Sequence, residues 1–211
     1  TADKERRTCT CLGQADPFRI EDIPEAETGV YHLAGLIYGD FDGELIKALA
    51  QKGKVAVDVQ ALLRHADKKT GAMYFEDWAQ KKELLPYIDY LKTDAAEAEI
   101  LTGQPDRYVA AKMLHAWGAK EVVITHNTEV IAFEGTHTYA CPIRARNLSG
   151  RSGRGDTTFA AYITERQNAS VKDALLWATA TVSAKMEKPG PYRGTRRDIK
   201  AYIDEFFADV K

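Results

Sequence analysis

"SGRSGRGDTTFAAYI" (Ser149–Ile163) decides how this chain is read. Three glycines (Gly150, Gly153, Gly155) and two arginines (Arg151, Arg154) lead into Asp156, and an apolar, helix-like run follows. Glycines at such a junction permit positive φ and let the backbone approach a ligand closely. The N–H groups in the first turn of the following helix lack partners inside it, carry partial positive charge and suit a phosphate. A carboxylate beside that phosphate is unfavourable: two unit charges about 4 Å apart repel by about 4 kcal/mol at an effective dielectric of about 20. The cost is accounted for if the carboxylate accepts the proton of an attacking hydroxyl while positive groups hold the phosphoryl. Taken alone, the residues leave other readings open. Asp156 is also a favoured type for a helix N-cap. Arg154-Gly155-Asp156 also spells an adhesion tripeptide, which sits poorly with an aspartate that adjoins an apolar helix.

The 211 residues have a net charge of −2 and are 45% hydrophobic, as in a globular protein with a proper core. That length sets an expectation of one domain over residues 1–211. The charge balance offers no broad basic face for nucleic acid. No apolar run reaches the roughly 18 residues of a membrane-spanning helix, so no membrane partner is expected. Cys9, Cys11 and Cys141 show no CxxC spacing and read as reduced thiols, with a cytoplasmic location expected. The five histidines show no metal-ligand spacing.

Strand and helix alternate through the middle of the chain. A strand is expected at Arg6–Leu12, a buried strand at Gly29–Ile37, a helix from Gly43 to Gly53 and a short buried strand at "KVAVDVQ". Residues 65–75 read as a loop and 76–85 as a helix. "YIDYLKTD" reads as a strand that feeds the helix "AAEAEILTG", with Gly103 as its C-cap. An amphipathic helix stopped by Gly118 follows, then "KEVVITH" as a strand, then an antiparallel pair at "EVIAFEG" and "HTYACPI". Helices are expected at Thr157–Gln167, Val171–Met186 and Thr195–Phe207, with Lys185, Glu187 and Lys188 as a solvated helix end. The pattern predicts an α/β layered fold with a mostly parallel sheet.

The glycine loop resembles the C-terminal signature of the ribokinase-like (PfkB) carbohydrate kinases, with Gly153, Gly155, Asp156, Ala160 and Ala161 matching. Gly150 stands where that family usually has Asp or Asn, and Arg151 where it often has Thr. "LKTDAAEAEILTG" resembles the family's N-x-x-E segment, with Glu97 matching and Asp94 in place of Asn. "GAKEVVITHNTEVIAFEG" resembles the nucleotide strand and turn. Thr125 matches there, whereas Asn127 and Glu129 replace glycines. "ALLWATATVSAKMEKPGP" resembles the small-residue helix near the adenine, with Thr179 at a position that often contacts nucleotide.

The resemblance implies a three-layer α/β/α sandwich and transfer of the ATP γ-phosphate to a hydroxyl, with Mg2+ and, as a further candidate, a monovalent cation. By analogy Asp156 is the base, and Gly153, Arg154 and Gly155 form the anion hole. Asp94 and Glu97 organise the metal, while Thr125, Asn127 and Thr179 line the nucleotide site. Asp58 and Arg151 face the substrate. "VAVDVQALLR" (Val55–Arg64) departs from the D-x-N-x-R pattern of some sugar kinases, leaving a sugar, a nucleoside or a cyclitol open. Thr1 is expected to correspond to the interior of a longer protein, since family members begin with a segment carrying substrate contacts and much of the lid. A homodimer is the assembly the family suggests. The departures at Gly150, Asn127 and Glu129 keep a second class open, a nucleotide-binding relative without catalysis.

Overall fold

A computed structural model describes residues 9–25 and 28–210. A six-stranded sheet runs in the order β1-β2-β5-β6-β7-β8: Val30–Leu33, Lys54–Asp58, Tyr90–Asp94, Glu121–Thr125, Glu129–Phe133 and Thr138–Pro142. The first four pair in parallel, and β7 and β8 pair antiparallel. A two-stranded antiparallel hairpin, β3 (Arg64–Ala66) and β4 (Met73–Phe75), stands apart.

Side chains alternate across the sheet, as a period of two requires. Val55, Val57, Val122, Ile124, Ile131 and Phe133 pack against α1 (Gly43–Ala50), α4 (Ala95–Thr102) and α5 (Arg107–Ala116). Ala56, Val123, Val130 and Ala132 pack on the opposite face against α6 (Arg154–Glu165), α7 (Val171–Met186) and α8 (Arg196–Phe206). The result is three layers with a core on each side of the sheet. Two short helices, α2 (Gln60–Leu63) and α3 (Lys81–Leu84), complete the set. Gly103 closes α4 in the left-handed region at φ 70°, as expected of a C-cap glycine.

Several expectations are corrected. The strand expected at Gly29–Ile37 ends at Leu33, because the chain then turns around Asp40, whose carboxylate accepts from the N–H groups of Leu36 and Ile37. The loop expected at 65–75 is the β3–β4 hairpin, whose turn is held by Asp67 accepting from Lys69 and Thr70. The helix expected at 76–85 shortens to α3, followed by a 3-10 turn at Leu85–Tyr87 that carries Pro86. Of the strand expected at Arg6–Leu12, residues 6–8 lie outside the described residues, and within the rest Thr10 bridges Ala72. Lys185 and Glu187 do not form a solvated end: Lys185 is 3% exposed, and the Glu187 carboxylate is held by Arg146 and Tyr202.

Candidate active site

Helix α6 starts three residues earlier than the pattern predicts, and this settles where Asp156 stands. Gly153 is the N-cap at φ 77°, so Asp156 occupies the third helical position and is not the cap. Asp42, Asp94, Asp106, Ser170 and Thr195 each cap a helix by accepting a first-turn N–H. The N-cap of α6, Gly153, has no side chain to do so. The partial positive charge of this helix start lies in the same turn as Asp156. That carboxylate opens on a groove of about 540 Å³ bounded by Ala160, Thr164, Trp177 and Tyr192.

The β6–β7 turn comes to the same place. Arg151 and Arg154 both donate to Oδ1 of Asn127, Arg151 at 3.3 Å. Two guanidinium groups are thereby held by one side-chain carbonyl that stands where the resembling family has glycine. Glu129, the second departure, is taken up by Arg107 at 2.9 Å and by the Tyr108 hydroxyl at 3.2 Å. Thr125 is buried at the end of β6, its hydroxyl 3.4 Å from the carbonyl of Thr93. Thr179 is fully buried in α7 and donates to the carbonyl of Leu175, so its side chain presents no surface to a ligand.

The carboxyl ends of the parallel strands contribute a third group, in the place where open α/β sheets bind ligands. Lys92 of β5 donates to both oxygens of Asp58 at 2.9 and 3.1 Å and lies 3.9 Å from Glu97. Burial pulls this ammonium down, but Asp58 and Glu97 outweigh it and hold its pKa above the ordinary lysine value. Asp58, expected to face the substrate, is the last residue of β2 and a buried carboxylate paired with Lys92. Asp94 and Glu97 form a reciprocal cap at the start of α4, with bonds of 2.8 and 2.7 Å. Burial pushes the Glu97 carboxyl up to about 7, with Lys92 opposing. Beneath α6, a Cβ on Gly155 would lie 2.9 Å from Nζ of Lys92, so a larger residue there would have to displace the lysine head. His32 of β1 packs edge-on against Phe159 at 4.9 Å, and its buried Nε2 has no hydrogen-bond partner among the described residues. Burial lowers its pKa, while the fields of Asp58 and Asp156 raise it.

Behind the glycine loop, Nζ of Lys185 donates to the backbone carbonyls of Gly150 and Ser152. Burial lowers the pKa of this ammonium and Asp156 raises it. The candidate monovalent cation finds no vacancy at these two carbonyls, because a side chain already serves them. No group of three or more His, Cys, Asp or Glu among the described residues is placed to hold a metal ion. Asp94 and Glu97 are the carboxylates that the resemblance offers to Mg2+, an ion that keeps several waters and takes one or two carboxylates together with substrate phosphates.

Sequence reasoning set Asp156, Gly153, Gly155, Arg151 and Arg154 in one loop and Asn127 in the nucleotide turn, and the structure brings Asn127 against the two arginines. It passed over Lys92, His32 and Lys185. A lysine inside the otherwise apolar strand "YLKT" was the available signal for Lys92. Lys185 gave none, since a lysine in the last turn of a helix is ordinary.

A family model described as pfkB family carbohydrate kinase matches residues 1–197. A solved pyrophosphate-dependent kinase of the ribokinase family, complexed with a pyrophosphate analog and myo-inositol, is 35% identical, with a TM-score of 0.85 over 92% of this chain and 70% of that one. Arabidopsis thaliana ribokinase, complexed with ribose and ATP, is 21% identical with a TM-score of 0.67 over 83% of this chain and 55% of its own, a likeness of fold. A cytidine kinase of Thermococcus kodakarensis is 31% identical over 97 residues, 43% of this chain. The chain spans 35% of the length of that curated relative. No helix among the described residues is long and apolar enough to cross a membrane.

Proposed function

The chain belongs to the pfkB family of carbohydrate kinases, and from that premise we propose that the protein transfers a phosphoryl group from a phosphoanhydride donor to a hydroxyl of a sugar-like polyol. The observation that carries the reading is Asp156 in the first turn of α6, a helix whose N-cap is the glycine Gly153. Asp156 accepts the hydroxyl proton as the acceptor oxygen attacks phosphorus and the bond to the donor's bridging oxygen breaks. The N–H groups of Gly153, Arg154 and Gly155 face the charge on the transferred group, where fixed dipoles lower the barrier most. Arg151 and Arg154 hold the donor, and Asp94 and Glu97 organise Mg2+ and its waters. When bound, Mg2+ neutralises charge on the donor phosphates.

ATP is the donor that the family resemblance implies. A second donor, inorganic pyrophosphate, is favoured by one observation: two arginines meet at Asn127 while Thr179, the expected nucleotide contact, is fully buried. Relatives 34–35% identical include pyrophosphate-dependent myo-inositol kinases. A bare diphosphate needs cations and no base pocket, which matches this surface. A cyclitol is the corresponding acceptor.

The test is to incubate the full-length protein with magnesium and either pyrophosphate or ATP, over a panel of cyclitols, sugars and nucleosides. Phosphate esters are read by mass spectrometry. Ester from pyrophosphate and a cyclitol is expected. Ester from ATP alone would assign the donor to the nucleotide, and absence of ester with every pair would leave a binding protein without catalysis.

A further inference from the structure

We infer that Lys185 is a built-in cation of the glycine loop, so that the protein needs no monovalent metal ion to hold that loop in its anion-binding shape. The inference deepens the proposed phosphoryl transfer and rests on it only for its activity readout.

The argument starts from peptide geometry. N–H and C=O point in opposite directions, so a loop that aims N–H groups at an anion turns carbonyls to its back. Here the carbonyls of Gly150 and Ser152 converge on one point, an arrangement that a positive charge between the two dipoles stabilises. Nζ of Lys185 occupies that point. The lysine is carried on a buried, 16-residue helix, so the charge arrives on a rigid support.

The loop is also stapled to the end of α7. Gly150 N–H donates to the carbonyl of Met186 at 2.7 Å, and the Ser149 hydroxyl donates to the carbonyl of Glu187 at 2.7 Å. A Cβ on Gly150 would fall 1.9 Å from the carbonyl oxygen of Lys188. The Asp or Asn that the resembling family usually carries there has no room. Glycine at 150 and lysine at 185 are therefore two halves of one arrangement: the first lets the backbone close, and the second supplies the charge inside.

Without the lysine, two carbonyls, the negative end of α7 and Asp156 would surround the vacated point. Potassium and ammonium ions bind carbonyl oxygens and are of similar size to the lost group. The neutral variant Lys185→Met is thus expected to acquire a monovalent-cation requirement that the natural protein lacks.

The full-length protein is assayed at constant ionic strength in potassium, ammonium or tetramethylammonium chloride. Melting temperature is followed without donor, and phosphoryl transfer with it. The natural protein is expected to show the same melting temperature and rate in all three salts. Lys185→Met is expected to lose about 10- to 100-fold in donor affinity, the span of one charge-assisted hydrogen bond. It should recover part of that loss, and part of its melting temperature, in potassium or ammonium only. Activation or stabilisation of the natural protein by potassium would overturn the inference, without any variant having to fold. So would a folded Lys185→Met with unchanged donor affinity, or one that no small cation restores. If no phosphoryl transfer occurs at all, the proposed function fails, while the melting temperatures still decide the role of Lys185.

Discussion

Gly150→Ala adds one methyl group at the point where the glycine loop meets α7. The new Cβ would lie 1.9 Å from the carbonyl oxygen of Lys188, where real contacts do not fall below 3.0 Å, so the two segments must separate by about 1.1 Å. Such a shift breaks the 2.7 Å bond from Gly150 N–H to Met186, a loss of about 1 kcal/mol. It also draws the Gly150 carbonyl away from the Lys185 ammonium, and hydrogen bonds to charged groups contribute about 1.5–3 kcal/mol. With the strain of overpacking, the expected destabilisation is about 3–5 kcal/mol. Domains have a total stability of about 5–15 kcal/mol, so the change is large. The assay is urea unfolding followed by circular dichroism, with Gly13→Ala as control because no atom lies within 4 Å of its added Cβ. The control should stay within about 0.5 kcal/mol of the natural protein. A Gly150→Ala protein that loses less than about 1 kcal/mol would refute the reasoning, since the loop would then be free of α7.

Asp156→Asn should lower turnover by about 10²- to 10⁴-fold while donor affinity, measured calorimetrically, stays near that of the natural protein. Tyr162→Phe removes a buried hydroxyl that donates to Glu121 at 2.7 Å, and should cost about 1.5–3 kcal/mol in chemical denaturation. Glu97 has a folded pKa of about 7, raised from 4.5, so the folded state keeps a proton that the unfolded chain releases. Its stabilising contribution is full below pH 4.5 and is lost as pH rises through 7; Glu97→Gln should flatten that part of the stability–pH curve. Glu187 behaves oppositely: burial pushes it up, but Arg146 and Tyr202 outweigh burial and hold it at about 2. Its contribution is present above pH 4.5 and lost as pH falls towards 2, so Glu187→Gln should be the less acid-sensitive protein in a pH melt.

How much of this was legible differs from element to element. Strands β5 and β6 and the pair β7–β8 stood out because β-branched and apolar residues run between turn signals. The α6 helix was legible in its body but not at its start. Glycine at 155 argues against helix by propensity, yet it lies inside α6, where Lys92 packs close beneath it, while Gly153 serves as the N-cap. The β3–β4 hairpin was missed because its strands are three residues each, too short for alternation to register. Thr179 was placed correctly on its helix, yet which face of a helix buried on most sides meets a ligand is not written in its spacing.

By itself the sequence determined the layered α/β class, the order of the main sheet strands and long helices, and the meeting of a glycine loop with an aspartate. These follow from local periods and from residue types whose backbone needs are intrinsic. Only the tertiary structure decided the charges. It made Asp58 an internal carboxylate, placed Lys92 beneath the helix start, joined Arg151 and Arg154 through Asn127, and turned Lys185 from a helix end into the cation behind the loop. The hydrogen bonds among these pairings span between 24 and 35 positions of chain. They are set by which strand and helix ends the fold brings together, and no local pattern encodes such a distance.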